Sequence, residues 1–144
     1  MSGFLLDTNV LSEFSRKGQP DQNVKSWLES ARPDSLYLSV LTLAEIRRGI
    51  ELLSSGKRRE ELEVWLNTEL IESFAPKNVL PVTIAIGNRW ALLSVRAQEK
   101  GIQLAVIDGL IAATAAEHGL TLATRNIKDF VGLGVPLFNP WDLA

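Results

Sequence analysis

Three acidic residues lie where the sequence changes from one kind of segment to another. Asp7 follows the apolar run Phe-Leu-Leu, Asp108 follows Ala-Val-Ile, and Glu45 ends the stretch Thr-Leu-Ala-Glu. Carboxylates brought together at the edge of a core raise one another's pKa unless a cation neutralises them. Mg²⁺ suits such oxygen ligands, and it keeps several waters that can serve as nucleophiles. The three acids therefore predict a metal site that acts on phosphate.

Each of these acids also has a purely structural explanation. Thr42 and Glu45 have the spacing of a capping box, in which the Glu45 side chain accepts a hydrogen bond from the Thr42 amide. Asp108 precedes Gly-Leu-Ile and would cap a helix there, where the helix dipole favours a negative charge. Asp7 would likewise cap the helix that follows it. The residues alone leave both explanations open.

The rest of the chain offers little other catalytic chemistry. Its 144 residues include no cysteine and one histidine, and the net charge is −2. Without cysteine there are no disulfides or thiolate sites, which fits a cytoplasmic protein. His118 is expected to end a helix before Gly119, where a partial positive charge is favourable, rather than to act as a base. We expect one domain over residues 1–144, no membrane span and only local contact with nucleic acid.

Hydrophobic patterning predicts alternating strands and helices. Strands are expected at 4–6, 35–40, 79–82, 120–123 and 135–138. Helices are expected at 10–14, 21–28, 42–56, 57–70, 83–100 and 108–118. Pro81 suits an edge strand or the end of a strand. This order predicts a parallel sheet with helices on both faces, in which ligands bind at the carboxyl ends of the strands.

Several motifs, taken together, resemble those of a known family. They span residues 6–13 (Leu-Asp-Thr-Asn-Val-Leu-Ser-Glu), 43–49 (Leu-Ala-Glu-Ile-Arg-Arg-Gly), 108–115 (Asp-Gly-Leu-Ile-Ala-Ala-Thr-Ala), 122–126 (Leu-Ala-Thr-Arg-Asn) and 135–141 (Val-Pro-Leu-Phe-Asn-Pro-Trp). In combination and in this order they resemble PIN-domain ribonucleases. Within that family they are most similar to the VapC toxins, in the FitB-like or plasmid-stability branch. The resemblance extends over essentially the whole chain.

The resemblance implies a fold, an activity and a set of site residues. The fold is a three-layer α/β/α domain with a central parallel sheet. The activity is Mg²⁺-dependent cleavage of RNA phosphodiesters, with Mn²⁺ as an alternative ion, by the toxin of a type II toxin–antitoxin system. Asp7, Glu45 and Asp108 match the acidic residues that bind metal and catalyse. Asn9 and Thr124 match polar residues that support them.

One position departs from the family pattern. Many members carry a fourth acid after the Thr-Arg pair, and this chain has Asn126 there, which supports hydrogen bonds but carries no charge. Asp129 would reach the site one helical turn later if residues 126–131 are helical, and a solvated loop residue is the alternative. We expect one tightly bound ion. Arg125 is a candidate for binding a substrate phosphate.

The resemblance also implies partners. It predicts a cognate antitoxin, a VapB- or FitA-like protein that binds DNA, so that this chain meets DNA only through the antitoxin. It also predicts a homodimer, with the helical region around Trp65 and Trp90 as the candidate surface. The four tryptophans are expected in the core or an interface, because they are not interleaved with basic residues.

Two other classes of function compete with a nuclease. A protein that forms an aspartyl phosphate would also place an acid after its first strand, but the chain has Asp7-Thr8-Asn9 and lacks the second acid expected of a haloacid-dehalogenase-type site. The other is a catalytically weak PIN-fold regulator that acts mainly through its antitoxin. The complete set of three acids favours the enzyme.

Overall fold

A five-stranded sheet forms the centre of the molecule. The computed structural model describes residues 3–15 and 18–142. The strands are β1 (Phe4–Leu6), β2 (Leu36–Ser39), β3 (Val79–Leu80), β4 (Thr121–Ala123) and β5 (Leu137–Phe138). They are all parallel and lie in the order β3-β2-β1-β4-β5. The predicted central parallel sheet is confirmed, with β1 at its expected bounds and β2 to β5 shorter than the sequence pattern suggested.

Seven α-helices connect these strands within the described part of the chain. They are α1 (Thr8–Ser12), α2 (Gln22–Ser30), α3 (Val40–Glu51), α4 (Lys57–Val64), α5 (Ile84–Glu99), α6 (Val106–His118) and α7 (Ile127–Phe130). After α4 the backbone widens into a π-helical turn, Trp65–Leu70, and a 3₁₀ turn, Ile71–Ser73. No helix in the described ranges is long and apolar enough to cross a membrane.

The alternation of side chains along the central strands creates two separate cores. Leu5 of β1 packs with α5 and α6, whereas Leu6 packs with α1, α2 and α3. Neighbouring β4 repeats this pattern, with Leu122 in the first core and Ala123 in the second. Successive residues of a strand point to opposite faces, so both faces need a helical cover. The result is the expected α/β/α arrangement of three layers.

The order of the strands brings the end of β1 next to the end of β4. The chain runs outward from β1 to β2 and β3 on one side, and returns to place β4 and β5 on the other. Leu6 pairs with Ala123, so the residues that follow, Asp7 and Thr124, emerge side by side. In parallel α/β sheets this change in strand order opens a crevice at the carboxyl ends of the strands.

Two predicted helix starts are wrong. Helix α3 begins at Val40 with Ser39 as its cap, whose hydroxyl accepts a hydrogen bond from the Leu41 amide. Thr42 therefore lies inside the helix, and the capping box with Glu45 does not form. The physical reason is that β2 ends at Ser39 and the chain turns into the helix at once.

The start of α6 also differs from its prediction. The helix begins at Val106 after Ala105, which makes no side-chain capping bond, so Asp108 is in the first turn and is not the cap. The apolar run before it is not a buried strand, since Val106 is 60% exposed. The helix-dipole part of the structural explanation still applies to Asp108, because the first turn carries the positive end of the dipole.

Candidate active site at the carboxyl ends of β1 and β4

Asp7 is held in place by the backbone on both sides. Its amide donates a hydrogen bond to the Ala123 carbonyl of β4 (2.9 Å), which extends the β1–β4 pairing by one residue. Its carboxylate caps α1 and accepts from the Thr8 amide (2.9 Å). Only 5% of Asp7 is exposed. The predicted cap is therefore confirmed, and the same geometry orients the carboxylate.

Thr124 supplies the main side-chain contact of Asp7. Its fully buried hydroxyl donates to Asp7 Oδ2 (2.7 Å) and accepts from the Asn126 amide (3.0 Å). The Asn9 side-chain amide lies 3.4 Å from both Asp7 Oδ2 and Thr124 Oγ1. The Arg125 amide donates to Asn9 Oδ1 (3.3 Å). The ends of two strands thus share one hydrogen-bond network.

Glu45 approaches from α3 and is held by a residue that the sequence did not single out. The Thr8 hydroxyl donates to Glu45 Oε1 at 2.6 Å. Thr8 is in the first turn of α1, directly after Asp7. The polar pair Thr8-Asn9, which follows Asp7 in the sequence, could have drawn attention to this residue. Its partner Glu45 lies 37 residues away, however, and the contact becomes visible only when α1 packs on α3.

Asp108 completes the site from the α6 side and is half-buried. In the described ranges its carboxylate makes no hydrogen bond or ion pair. Burial is the main reason that its pKa rises from 3.8 to about 6, and repulsion from Asp7, Glu45 and Asp129 adds to this. The Asp108 carboxylate is therefore destabilised in its charged form.

Burial likewise raises the pKa of Asp7 above its ordinary value. Hydrogen bonds from Thr124 and Thr8 oppose the shift, while repulsion from Glu45 and Asp129 reinforces it. Burial and neighbouring negative charges favour the neutral acid unless a cation offsets them, and such shifts are common at functional sites.

These side chains line one open pocket of about 340 Å³. Its lining residues are Asp7, Thr8, Asn9, Ser12, Glu45, Asp108 and Asn126. No basic side chain is among them in the described part of the chain. A larger apolar groove of about 470 Å³ lies elsewhere, between α2 and the turns at 65–74. The polar pocket carries the candidate chemistry because the carboxylates converge there.

The remaining candidates lie around this pocket. Residues 127–130 are helical as α7, so Asp129 follows one turn after Asn126, but it is exposed and acts on the site through its charge. The Arg125 guanidinium carbon lies 5.2 Å from the centre of the Trp141 ring. His118 ends α6 before Gly119, as predicted, and does not line the pocket.

Comparison with known proteins assigns the chain to a family. The model of the PIN domain matches residues 4–131. This chain belongs to the PIN-domain family. It is 41% identical to Toxin FitB of Neisseria gonorrhoeae over 95% of this chain and 97% of that protein. It is 38% identical to VapC ribonuclease Y4jK of Sinorhizobium fredii over 97% and 99% of the two chains.

A solved structure agrees with this PIN assignment. A chain of FitAB bound to an IR36 DNA fragment superposes with a TM-score of 0.90 and 39% sequence identity. The match covers 98% of this chain and 97% of the other. The resemblance to the FitB-like branch of the VapC group is therefore confirmed together with the fold.

The donor set of this PIN domain fits a hard divalent ion. The pocket offers carboxylate, hydroxyl and amide oxygens, and two of its carboxyl groups have raised pKa values. No three acidic or histidine side chains in residues 3–15 and 18–142 form a ready-made metal cluster. Mg²⁺ needs only one or two carboxylates because waters fill its other positions. Asp7 and Asp108 meet that requirement, and Glu45 lines the same pocket with its Oε1 accepting from the Thr8 hydroxyl.

Proposed function

We propose that this protein is a Mg²⁺-dependent endoribonuclease and the toxin of a type II toxin–antitoxin pair. The observation that carries the proposal is the pair Asp7 and Asp108, one carboxyl group buried and the other half-buried, which line one pocket at the switch in strand order, where the charge of Asp7 helps to raise the pKa of Asp108. Two full-length relatives named as a toxin and as a VapC ribonuclease support it.

The proposed ligands of the ion are Asp7 and Asp108, with Glu45 as the third catalytic acid. A bound Mg²⁺ or Mn²⁺ would stabilise developing charge on the phosphate and lower the pKa of a water. Glu45, whose Oε1 is held by the Thr8 hydroxyl, keeps a second carboxylate oxygen available to accept a proton from the attacking water. We propose one tightly bound ion, because Asn126 brings no fourth charge.

The supporting residues would act by fixing Asp7. The Thr124 hydroxyl donates to one carboxylate oxygen and the Thr8 amide to the other, so the group has a single orientation. Asn9 lies against both Asp7 and Thr124 and ties them to the amide of Arg125. Partners of this kind orient metal-binding carboxylates and influence affinity for the ion.

The test is cleavage of RNA by the purified protein. Total bacterial RNA is incubated with the wild type and the Asp7→Asn variant, with Mg²⁺, with Mn²⁺ and with EDTA. We expect cleavage only by the wild type and only with a divalent ion. If wild-type protein leaves RNA intact while it still binds its antitoxin, the catalytically weak regulator becomes the better description. Equal cleavage by Asp7→Asn in EDTA would exclude the metal mechanism.

The proposal includes an antitoxin that binds DNA. The solved FitAB complex with DNA supports this partner, and contact with DNA is assigned to the antitoxin because this chain has a net charge of −2. The apolar groove lined by Leu11, Phe14, Leu28, Trp65 and Phe74 is the proposed docking surface. Co-purification with the antitoxin, lost in a groove variant such as Leu28→Glu, tests it. The site of action would be the cytoplasm, where RNA and antitoxin meet.

A homodimer is proposed on the basis of α5. Ile84, Leu92 and Val95 are 86%, 68% and 57% exposed and fall on one helical stripe. Trp90 on the same helix faces inward against the core, and so does Trp65 in the other half of the molecule. The stripe, rather than these tryptophans, is the apolar surface that a second copy would cover. Light scattering of the wild type and of Leu92→Glu distinguishes dimer from monomer.

A further inference from the structure

The pocket of carboxylates lacks a positive charge for an RNA strand. Phosphates approaching it would meet Asp7, Glu45 and Asp108, and no basic side chain lines the pocket in the described part of the chain. A bound ion offsets this repulsion at the reacting phosphate only. A neighbouring phosphate of the strand needs a cation at the rim.

Arg125 is the arginine attached to this network. It directly follows Thr124, and its backbone amide donates to Asn9 Oδ1 at 3.3 Å. Its side chain is exposed. The backbone of Arg125 is therefore tied to the carboxylate network between two site residues, Thr124 and Asn126, and its side chain is exposed next to the pocket.

Several other arginines in the described part of the chain are engaged by polar partners. Arg47 donates to Asn67 Oδ1 at 2.6 Å. Arg59 forms an ion pair with Glu51 at 2.7 Å. Arg125 differs, since its guanidinium makes no hydrogen bond or ion pair within the described ranges and contacts an aromatic ring instead. Arg125 thus keeps its full charge available.

The contact with Trp141 has a specific chemical consequence. The guanidinium carbon lies 5.2 Å from the ring centre, within the range of a cation–π interaction. The ring attracts the guanidinium through its π face and accepts none of the guanidinium N–H groups as a conventional hydrogen bond, so these donors stay available. A carboxylate partner would instead occupy those donors and cancel the charge. Trp141 holds the arginine without competing with phosphate.

Trp141 is itself fixed in position. Its amide donates to Asn139 Oδ1 (2.9 Å), and its carbonyl accepts from Asn23 Nδ2 of α2 (2.8 Å). Its ring packs against the apolar core on the α1–α3 side. The turn after β5 is therefore anchored to α2, and the ring is a rigid support rather than a mobile surface group.

We infer that Trp141 is a positioning residue that holds the Arg125 guanidinium at the rim of the carboxylate site as a clamp for a phosphate of single-stranded RNA. The inference rests on the proposed ribonuclease function and adds a residue that sequence reasoning had placed in the core or an interface. Trp141 does not touch RNA in this arrangement. It fixes the position of the Arg125 guanidinium before RNA binds.

The first test is the salt dependence of RNA binding. Binding of a randomised single-stranded RNA pool is measured by fluorescence anisotropy in the inactive Asp7→Asn background at several salt concentrations. For Arg125→Ala we expect binding to weaken about tenfold, as for one charged hydrogen bond. The slope of log K against log salt should become shallower by about 0.7, the value for one phosphate contact on a single strand. The control Arg32→Ala, an exposed arginine before β2, should keep the wild-type slope.

The second test separates positioning from folding. Trp141→Leu should weaken binding about threefold, the size of one exposed cation–π contact, and Trp141→Phe should restore most of it. When Arg125 is already alanine, Trp141→Leu should cause no further loss of binding. A purely structural tryptophan would lower binding equally in both backgrounds, and that result would overturn the inference.

The outcomes are distinct from those that test the function. Cleavage of RNA by the wild type with an unchanged salt slope in Arg125→Ala removes the clamp and leaves the ribonuclease intact. If instead the Arg125 and Trp141 variants lose antitoxin binding while their RNA binding is unchanged, the ring holds the arginine for a protein carboxylate, and the inference is likewise overturned.

Discussion

The two carboxylates at the centre of the site are held in opposite ways. Asp7 lies between two strand ends, caps α1 and accepts hydrogen bonds from Thr8 and Thr124. Asp108 is in the first turn of α6, and within the described ranges its carboxylate has no hydrogen bond. Both have raised pKa values, but the hydrogen bonds of Asp7 counteract part of its shift.

This difference between Asp7 and Asp108 divides the pocket into a β1–β4 side, where the carboxylate has hydrogen-bond partners, and an α6 side, where it has none in the described part of the chain. The β1–β4 side is built by the fold itself, because the parallel pairing that makes the sheet also places Asp7 beside Thr124. The α6 side depends on something that the chain does not provide, since repulsion from Asp7 and Glu45 is left without an opposing charge. For the divalent ion that we propose, Asp7 would be a ligand whose orientation is already fixed, whereas the charge of Asp108 would be offset only by the ion.

The largest effect is expected from removing the preformed ligand. Asp7→Asn keeps the shape and a capping oxygen but loses the charge, and cleavage should fall by at least ~100-fold, beyond the usual cost of losing a residue that merely supports a ligand. The melting temperature should hold or rise, because a buried charge has been removed. Initial rates on RNA and thermal unfolding measure the two effects. Asp34→Asn, in the turn that precedes β2 at the amino ends of the strands, is the matched control and should change neither.

The next largest effect on cleavage is expected from disrupting the hydrogen bonds that Thr124 makes with Asp7 and with the Asn126 amide. Thr124→Val removes a buried hydroxyl that serves both Asp7 and the Asn126 amide, so cleavage should fall about 10- to 100-fold. The free energy of unfolding should drop by about 1–3 kcal/mol, because buried polar groups lose a partner. Urea unfolding and rates test this, and Thr124→Ser should recover both. If Thr124→Val retains full activity, Asp7 does not need its strand-end partner.

A smaller effect on RNA cleavage is expected from removing the Thr8–Glu45 hydrogen bond between α1 and α3. Thr8→Val removes the hydroxyl that holds Glu45 and should lower cleavage by about tenfold with Mn²⁺ affinity nearly unchanged, since only a supporting contact is lost. Calorimetric titration with Mn²⁺ separates binding from rate. Thr8→Ser restores the hydroxyl and serves as the control. A large loss of Mn²⁺ affinity in Thr8→Val would instead assign Glu45 a direct place on the ion.

The smallest effect is the dependence of stability on pH in the metal-free protein. Between 3.8 and about 6 the folded chain retains a proton on Asp108 that the unfolded chain has released. The free energy of unfolding should therefore fall as pH rises through that interval and level off above it, because folding is favoured where the folded state binds more protons. The loss should be about 1 kcal/mol after allowance for the solvent exposure of Asp108.

Chemical unfolding across this pH interval measures the effect. Asp108→Asn should make the profile shallower, with Asp7 supplying the remaining pH dependence, and saturating Mn²⁺ should flatten it by neutralising both carboxylates. If the pH profile of Asp108→Asn follows that of the wild type, Asp108 does not have the raised pKa that makes stability depend on pH. The proposed difference between the environments of Asp108 and Asp7 would then be wrong.

Sequence patterns predicted much of the frame. All five strands appear where apolar or alternating runs indicated them, and Pro81 does follow an edge strand. The ends of the helices expected at 83–100 and 108–118 were also predicted to within one residue, and the glycines that follow them, Gly101 and Gly119, both have the positive φ that glycine readily adopts. These features depend on neighbouring residues, which a sequence displays directly. The single domain over residues 1–144 and the catalytic roles of the acids remain predictions.

Other features were missed because they depend on distant partners. Thr42 looked like a cap, but β2 ends at Ser39 and makes that residue the cap. Thr8 drew no attention because its partner Glu45 belongs to another helix. Trp141 was predicted to lie in the core or an interface. Its ring does pack against apolar residues, but it also contacts the Arg125 guanidinium, which the sequence did not indicate.

The sequence by itself determined which groups could act: three carboxylates, a threonine and amides in a recognisable order, with no thiol and a single histidine. It also determined that strands and helices alternate. Only the tertiary structure decided which groups meet. The strand order placed Asp7 beside Thr124, and the packing of α1 on α3 brought Glu45 within hydrogen-bond distance of the Thr8 hydroxyl. Local patterns set local conformation, whereas the environment of a buried charge is set by chain segments far away in sequence, and so are its pKa and its partners.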